Sequence, residues 1–251
     1  MLTEERQKGI LQLLDEKGSV TLQELKEMFS ASESTIRRDL NVLHKKGALT
    51  KVFGGAVKNE EPHISVREEQ VALREEQNRS EKIQIAKFAA ALIEPEDFVY
   101  LDAGTTTGYM IPFLTEKSAK FVTNAASHAL RLAESGFSVV LIGGEVKAAT
   151  EAIVGNEAYV NLQKYNFTKG FFGSNGVDQR FGFTTPDVSE ALVKECAVRH
   201  SRDRYVLCDS SKFYQVTPVT FCEFNAARII TDRVPDETYR KVPNIIVAPS
   251  A

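Results

Sequence analysis

Apolar positions in the first 58 residues recur at helical spacing, and beyond residue 97 they gather into short runs separated by helical stretches. Over residues 3–16, Ile10, Leu11, Leu13 and Leu14 form a helical stripe that Lys17-Gly18 ends. Val20 begins a short extended piece. Thr21-Leu-Gln-Glu24 has the form of a capping box, in which the hydroxyl and the carboxylate satisfy otherwise unpaired amides, so a second helix is expected through Phe29. Ser30-Ala31-Ser32 is a turn. Residues 33–46 predict a third helix that turns Ile36, Leu40 and Leu43 inward and leaves Ser34, Thr35, Arg37, Arg38 and Asn41 exposed. Residues 48–57 alternate polar and apolar positions around Gly54-Gly55, as a two-stranded wing does. Together these elements make a winged helix-turn-helix.

Residues 59–79 are charged, contain Pro62 and show little apolar periodicity, which predicts a linker with some helical character between domains 1–58 and 80–251. Ser80 is expected to cap a helix carrying Ile83, Ala86, Ala90 and Ile93, stopped by Glu94-Pro95. Apolar runs at 98–101, 120–123, 138–142, 170–172, 204–208, 228–231 and 245–247 then alternate with helical patterns. Such alternation predicts an α/β domain with a doubly wound, mostly parallel sheet.

A length of 251 residues accommodates both domains, and 43% hydrophobic with 26% charged residues is a globular composition without a run long enough to span a bilayer. No membrane partner is expected, and a start without an apolar secretion core predicts a cytoplasmic location. Cys196, Cys208 and Cys222 form no C-x-x-C pair and fit reduced thiols. The net charge of −3 argues against nucleic acid only until it is divided: residues 1–58 carry +2 and the remainder −5.

Double-stranded DNA is therefore the expected partner of the first domain. Ser32, Ser34 and Thr35 can enter a groove without clashing, Arg37 and Arg38 supply planar donors for phosphates or guanine edges, and Lys51, Gly54 and Gly55 place the wing nearby. DNA sites for such readers are commonly repeated, so a homo-oligomer is expected. The segments Ser34-Thr-Ile-Arg-Arg-Asp-Leu40, Lys46-Gly47 and Gly54-Gly55-Ala56 resemble the DeoR family of bacterial transcriptional regulators. Phe53 stands where many members have histidine.

In open parallel sheets ligands bind at the carboxyl ends of the strands, and the residues there are small and polar. Asp102-Ala-Gly104-Thr105-Thr106-Thr107 follows the first run and leads into a helix whose amides could hold an anion. Asn124 ends the second run, Gly143, Gly144 and Lys147 follow the third, with Glu151 beyond, and Asn175 follows the fourth. Thr184 and Thr185 lie in Gly182-Phe-Thr-Thr-Pro-Asp187, expected to open a helix whose Glu190 and Lys194 have the spacing of an ordinary surface ion pair. Lys212 follows the fifth run. Three lysines among hydroxyls and amides suit a polyhydroxylated anion.

The resemblance continues through Ser174-Asn-Gly176 and Asp209-Ser-Ser-Lys-Phe213. It implies a sensor domain for phosphorylated sugars, with a fold related to ribose 5-phosphate isomerase, in a repressor of a sugar-utilisation operon. The fructose-operon repressors look most alike, implying fructose 1-phosphate; the lactose-operon repressors imply tagatose 6-phosphate. The rival is a sugar-phosphate isomerase-like enzyme, with Asp102, Glu151, Asp178 or Glu190 as base. Asn175 cannot take a proton from carbon, which favours the regulator. His44, His63, His128 and His200 lack partners at ligand spacing, so neither metal nor cofactor is expected.

Overall fold

The computed structural model describes residues 2–45, 48–58, 63–65 and 71–250; Lys46, Gly47 and much of the expected linker, Pro62 included, lie outside them. The chain divides into two compact units, Met1–His63 and Ile64–Ala251.

The first unit runs α1 (Thr3–Lys17), β1 (Ser19–Thr21), α2 (Leu22–Phe29), α3 (Glu33–Lys45), β2 (Thr50–Val52) and β3 (Gly55–Val57). The capping box forms: Glu24 N donates to Thr21 Oγ1 at 3.2 Å, and Thr21 N donates to the Glu24 carboxylate at 2.8 Å. Ile10, Leu14, Leu25, Ile36, Leu40 and Leu43 close the core. The two-stranded wing forms as β2 against β3, and β1 adds a third strand to its sheet because β3 pairs antiparallel with both. Val20 and Ala56 join the helical core from this sheet, which anchors the wing. Arg6 and Asp39 form a buried ion pair at 2.6 Å that the sequence pattern did not disclose.

A two-residue strand, β4 (His63–Ile64), lies where the division falls. Helices α4 (Val71–Glu76) and α5 (Arg79–Ala90) follow. Here the structure departs from the expected linker, since Val71 N donates to Ala149 O at 3.0 Å and Asn78 Nδ2 donates to Asp209 at 2.9 Å. Asn78 rather than Ser80 also holds the cap position of α5, in a left-handed conformation with φ 49°.

Next come β5 (Phe98–Leu101), α6 (Thr105–Gly108), β6 (Lys120–Thr123), α7 (Ala126–Glu134) and β7 (Ser138–Leu141). A hairpin of β8 (Glu145–Lys147) and β9 (Ala152–Val154) precedes α8 (Asn156–Leu162) and β10 (Phe167–Gly173). After β11 (Gly176–Asp178) and β12 (Gly182–Thr185) the chain enters α9 (Val188–Arg199) and β13 (Ser201–Leu207). It closes with β14 (Gln215–Val216), β15 (Val219–Cys222), β16 (Arg228–Thr231), α10 (Glu237–Arg240) and β17 (Ile245–Val247).

Seven strands form one sheet in the order β17-β16-β13-β10-β5-β6-β7, and each adjacent pair is parallel. They are the seven apolar runs. Both faces are covered: Tyr100, Val122, Phe172 and Val206 pack on one side, Val99, Leu101, Phe121 and Phe171 on the other. A strand buried on both faces must be apolar at both alternating positions, which is why the runs read as continuous. The segment 182–187 opens the expected helix through Asp187, which caps α9, but its first four residues are strand β12, which joins β11 and β15 in a separate antiparallel sheet.

Candidate functional site

At the start of α3, Ser32 Oγ accepts from Thr35 N at 3.3 Å and lies 2.9 Å from Ser34 Oγ and 2.8 Å from Thr35 Oγ1. The three hydroxyls thus form one capping chain on the exposed helix start. Arg37 is held by Glu33, with Nη2 at 2.7 Å and Nε at 2.8 Å from the same carboxylate oxygen. Its hydrogen bond and charge draw the exposed Glu33 carboxyl below its ordinary value. Arg38 is exposed and has no ion-pair or hydrogen-bond partner among the described residues. Lys51 Nζ donates to Asn41 Oδ1 at 2.7 Å, pinning the wing beside α3. Gly54 makes the wing turn at φ 83°, and a Cβ on Gly55 would lie 2.1 Å from Val20 O, so both glycines shape the wing. Phe53, between them and β2, is fully exposed.

In the second unit the chain winds from β5 to β6 and β7 in one direction and later from β10 to β13, β16 and β17 in the other. The switch point therefore lies between β5 and β10, where a ligand crevice is expected. A cleft opens there. Its walls hold Asp102, Gly104, Thr105, Thr106, Asn124, Asn175, Lys194 and Lys212, eight of the residues singled out in the sequence. The two crossing loops touch closely, since a Cβ on Gly104 would lie 3.3 Å from Gly173 Cα. Asp102 Oδ2 accepts from Gly173 N at 3.0 Å and forms a buried ion pair with Lys194, whose Nζ also donates to Gly173 O at 3.1 Å. Asn124 is a clamp: its Oδ1 accepts from Tyr100 OH and Ala103 N, both at 3.0 Å, and its Nδ2 donates to Ile153 O at 3.2 Å.

Glu190 also lines this cleft and Glu151 borders the space beside it; the other expected residues sit elsewhere. Thr107 is buried behind the loop, donating to Asp102 O at 2.6 Å. Gly143 and Gly144 lead into the β8–β9 hairpin, where Gly144 packs on Val154 O. Lys147 reaches Asp187 at 3.1 Å and Glu190 at 3.4 Å, and Glu151 is exposed in the hairpin turn. Thr184 and Thr185 are buried in β12, with Thr184 Oγ1 accepting from Thr217 N at 2.9 Å. Glu190 and Lys194 are not a surface pair; each is buried against another partner. Nor does α6 offer an extended helix dipole, because it is a single turn of four residues.

Lys82 and Arg74 were missed. Lys82 is buried on α5, its Nζ donates to Arg74 O, and both line the cleft. Burial, opposed by Asp209 and reinforced by Lys212, pushes the Lys82 ammonium down to about 8. A signal was present, since Lys82 shares the buried face of α5 with Ile85, Ala86 and Ala89. Arg74 Nε is buried without a hydrogen-bond partner among the described residues. Among the candidate bases, Asp178 accepts from Arg180 N and Phe181 N in a hairpin turn away from the cleft, while Asp102 and Glu190 are already paired.

An exposed reading helix with its wing, on one chain with an α/β domain whose cationic cleft lies at a switch point, defines a DNA-binding transcription regulator with a sensor domain. The chain belongs to the DeoR family: residues 6–62 match the DeoR-like helix-turn-helix domain and residues 77–233 the DeoR C terminal sensor domain. It is 41% identical over 240 residues to the uncharacterized HTH-type transcriptional regulator FruR of Bacillus subtilis (strain 168), covering 95% of this chain and 94% of that protein. It is 33% identical over 243 residues to the lactose phosphotransferase system repressor of Staphylococcus epidermidis (strain ATCC 12228 / FDA PCI 1200), covering 94% and 95%. Among solved structures, ribose 5-phosphate isomerase A from Methanocaldococcus jannaschii matches with a TM-score of 0.40 and 16% identity over 55% of each chain. Among the described residues no helix is long and apolar enough to cross a membrane.

Proposed function

We propose that the protein is a cytoplasmic repressor of a sugar-utilisation operon, a homo-oligomer that holds double-stranded operator DNA through α3 and the wing and releases it when a phosphorylated sugar fills the cleft. Ser34, Thr35, Arg38 and Lys51 carry the DNA contacts in this reading, and residues 71–79 belong with the sensing part. The observation that carries the effector half is the set of four cations, Arg74, Lys82, Lys194 and Lys212, around hydroxyls at the switch point. Charge-assisted hydrogen bonds of this kind suit a phosphoryl group. Fructose 1-phosphate is the first candidate and tagatose 6-phosphate the second, supported by the resemblance at Thr184-Thr-Pro-Asp187 and Asp209-Ser-Ser-Lys-Phe213 and by the relatives named FruR and lactose phosphotransferase system repressor.

Operator affinity with and without each sugar phosphate, and sugar-phosphate affinity with and without saturating operator, test the reading together. A hundredfold release of operator requires about 2.7 kcal/mol of coupling, and reciprocity demands the same factor in the other direction. Effector affinity that ignores the operator would sink this function.

A further inference from the structure

The cleft has a second chamber. It adjoins the lysine-lined part through Ala103, Gly104, Thr105 and Thr150, which border both, and it measures about 250 Å³ against about 50 Å³ for the first. Their charges differ. Four cations face Asp102, Glu190 and Asp209 in the first chamber, whereas Arg131 alone faces Glu75 and Glu151 in the second. A phosphate dianion is therefore favoured in the first and opposed in the second. The second wall instead mixes donors and acceptors, Ser127, Thr105 and Thr150 hydroxyls beside carboxylates and an imidazole, a combination that matches alcohol groups able both to give and to accept a proton.

His128 supplies that imidazole. The residue is only 6% exposed, and Nδ1 has no hydrogen-bond partner among the described residues. Burial, reinforced by Arg131, pushes the ring down to about 4, so it is neutral near pH 7 and Nδ1 can serve as an acceptor. Buried ring nitrogens are rarely left unpaired, and a bound hydroxyl would supply the missing donor. We propose that the second chamber holds the polyol end of the effector, with His128 Nδ1 accepting a hydroxyl proton and the phosphoryl group seated in the lysine-lined chamber. This rests on the sugar-phosphate reading above and narrows it to monophosphates whose far end carries free hydroxyls.

Calorimetry on the full chain with inorganic phosphate, fructose 1-phosphate and fructose 1,6-bisphosphate tests the assignment. Wild-type protein should bind the monophosphate at least about tenfold more tightly than the bisphosphate, whose second dianion would meet Glu75 and Glu151. His128→Leu should weaken fructose 1-phosphate by about tenfold and leave inorganic phosphate within about twofold, and His128→Asn, which offers an amide oxygen near the Nδ1 position, should recover part of the loss. Equal monophosphate affinity in the leucine variant overturns the subsite, as does a bisphosphate that binds as tightly as the monophosphate. That second comparison needs only wild-type protein and decides the matter if the variants fail to fold. If inorganic phosphate and both sugar phosphates all fail to bind, the sensor reading itself falls and takes the subsite with it.

Discussion

Arg38 in the first unit stands in solvent without a carboxylate partner among the described residues, whereas in the second unit Lys194 is buried against Asp102 and Lys82 is enclosed beside Arg74. Hydration explains what each arrangement suits. An exposed guanidinium keeps its water until a phosphate or a guanine edge replaces it, so its contacts are screened and salt-dependent. An enclosed ammonium has lost part of its water on folding, and an arriving dianion meets charge that solvent no longer screens. The first arrangement fits a long polyanion read from outside; the second fits a small anion taken in.

The comparison breaks most sharply at a buried charge in the DNA-reading unit. Asp39 lies within the family signature, yet it faces Arg6 rather than solvent, so Asp39→Ala should destabilise the first unit by about 3–5 kcal/mol by leaving a buried guanidinium unpaired. Denaturant unfolding of the variant measures this, and an unchanged midpoint would mean the pair is not closed in solution. Next in size, Arg38→Ala should lower operator affinity by about 1–3 kcal/mol, with a much smaller loss for Arg37→Ala because Glu33 already neutralises Arg37. Anisotropy titrations at several salt concentrations separate the two arginines, and equal losses would contradict the distinction.

A pH series sharpens the enclosed half. Effector affinity should fall about tenfold between pH 7 and pH 9 as Lys82 loses its proton near 8, and Lys82→Arg, which stays charged, should flatten the profile. The sign for folding is opposite. With its folded value depressed below the ordinary 10.5, Lys82 is more readily protonated in the unfolded chain, so its contribution to stability grows as pH rises from about 8 towards 10.5. A pH-independent effector affinity would remove Lys82 from the site. The smallest expected effect on the fold is at the wing tip: Phe53→His should leave unfolding within about 0.5 kcal/mol, because the side chain contacts solvent, and confine any change to operator binding.

Much of the fold was legible because its signals are local. The Thr21–Glu24 box, the left-handed Gly18 after α1 and the stripe of Ile36, Leu40 and Leu43 all depend on neighbours within a turn or two. The sheet β11-β12-β15 escaped notice because its strands are short and partly polar, and β12 pairs with a strand more than thirty residues away. In the cleft, looking just after each strand found Asp102, Asn124, Asn175 and Lys212 but passed over Lys82 and Arg74, which reach it from helices before β5.

By itself the sequence determined the winged reader, the seven strands of the parallel sheet in chain order and the polar loops at their ends, since propensity, capping and alternation act between near neighbours. It could not determine which cations remain available. That choice belongs to the tertiary structure, which sets Lys147 against Glu190 across 43 positions and Lys194 against Asp102 across 92, and brings Lys82 up to the cleft from α5. Coulomb attraction and desolvation depend on distance in space and on burial, and the chain acquires both only when the parallel sheet closes around its switch point.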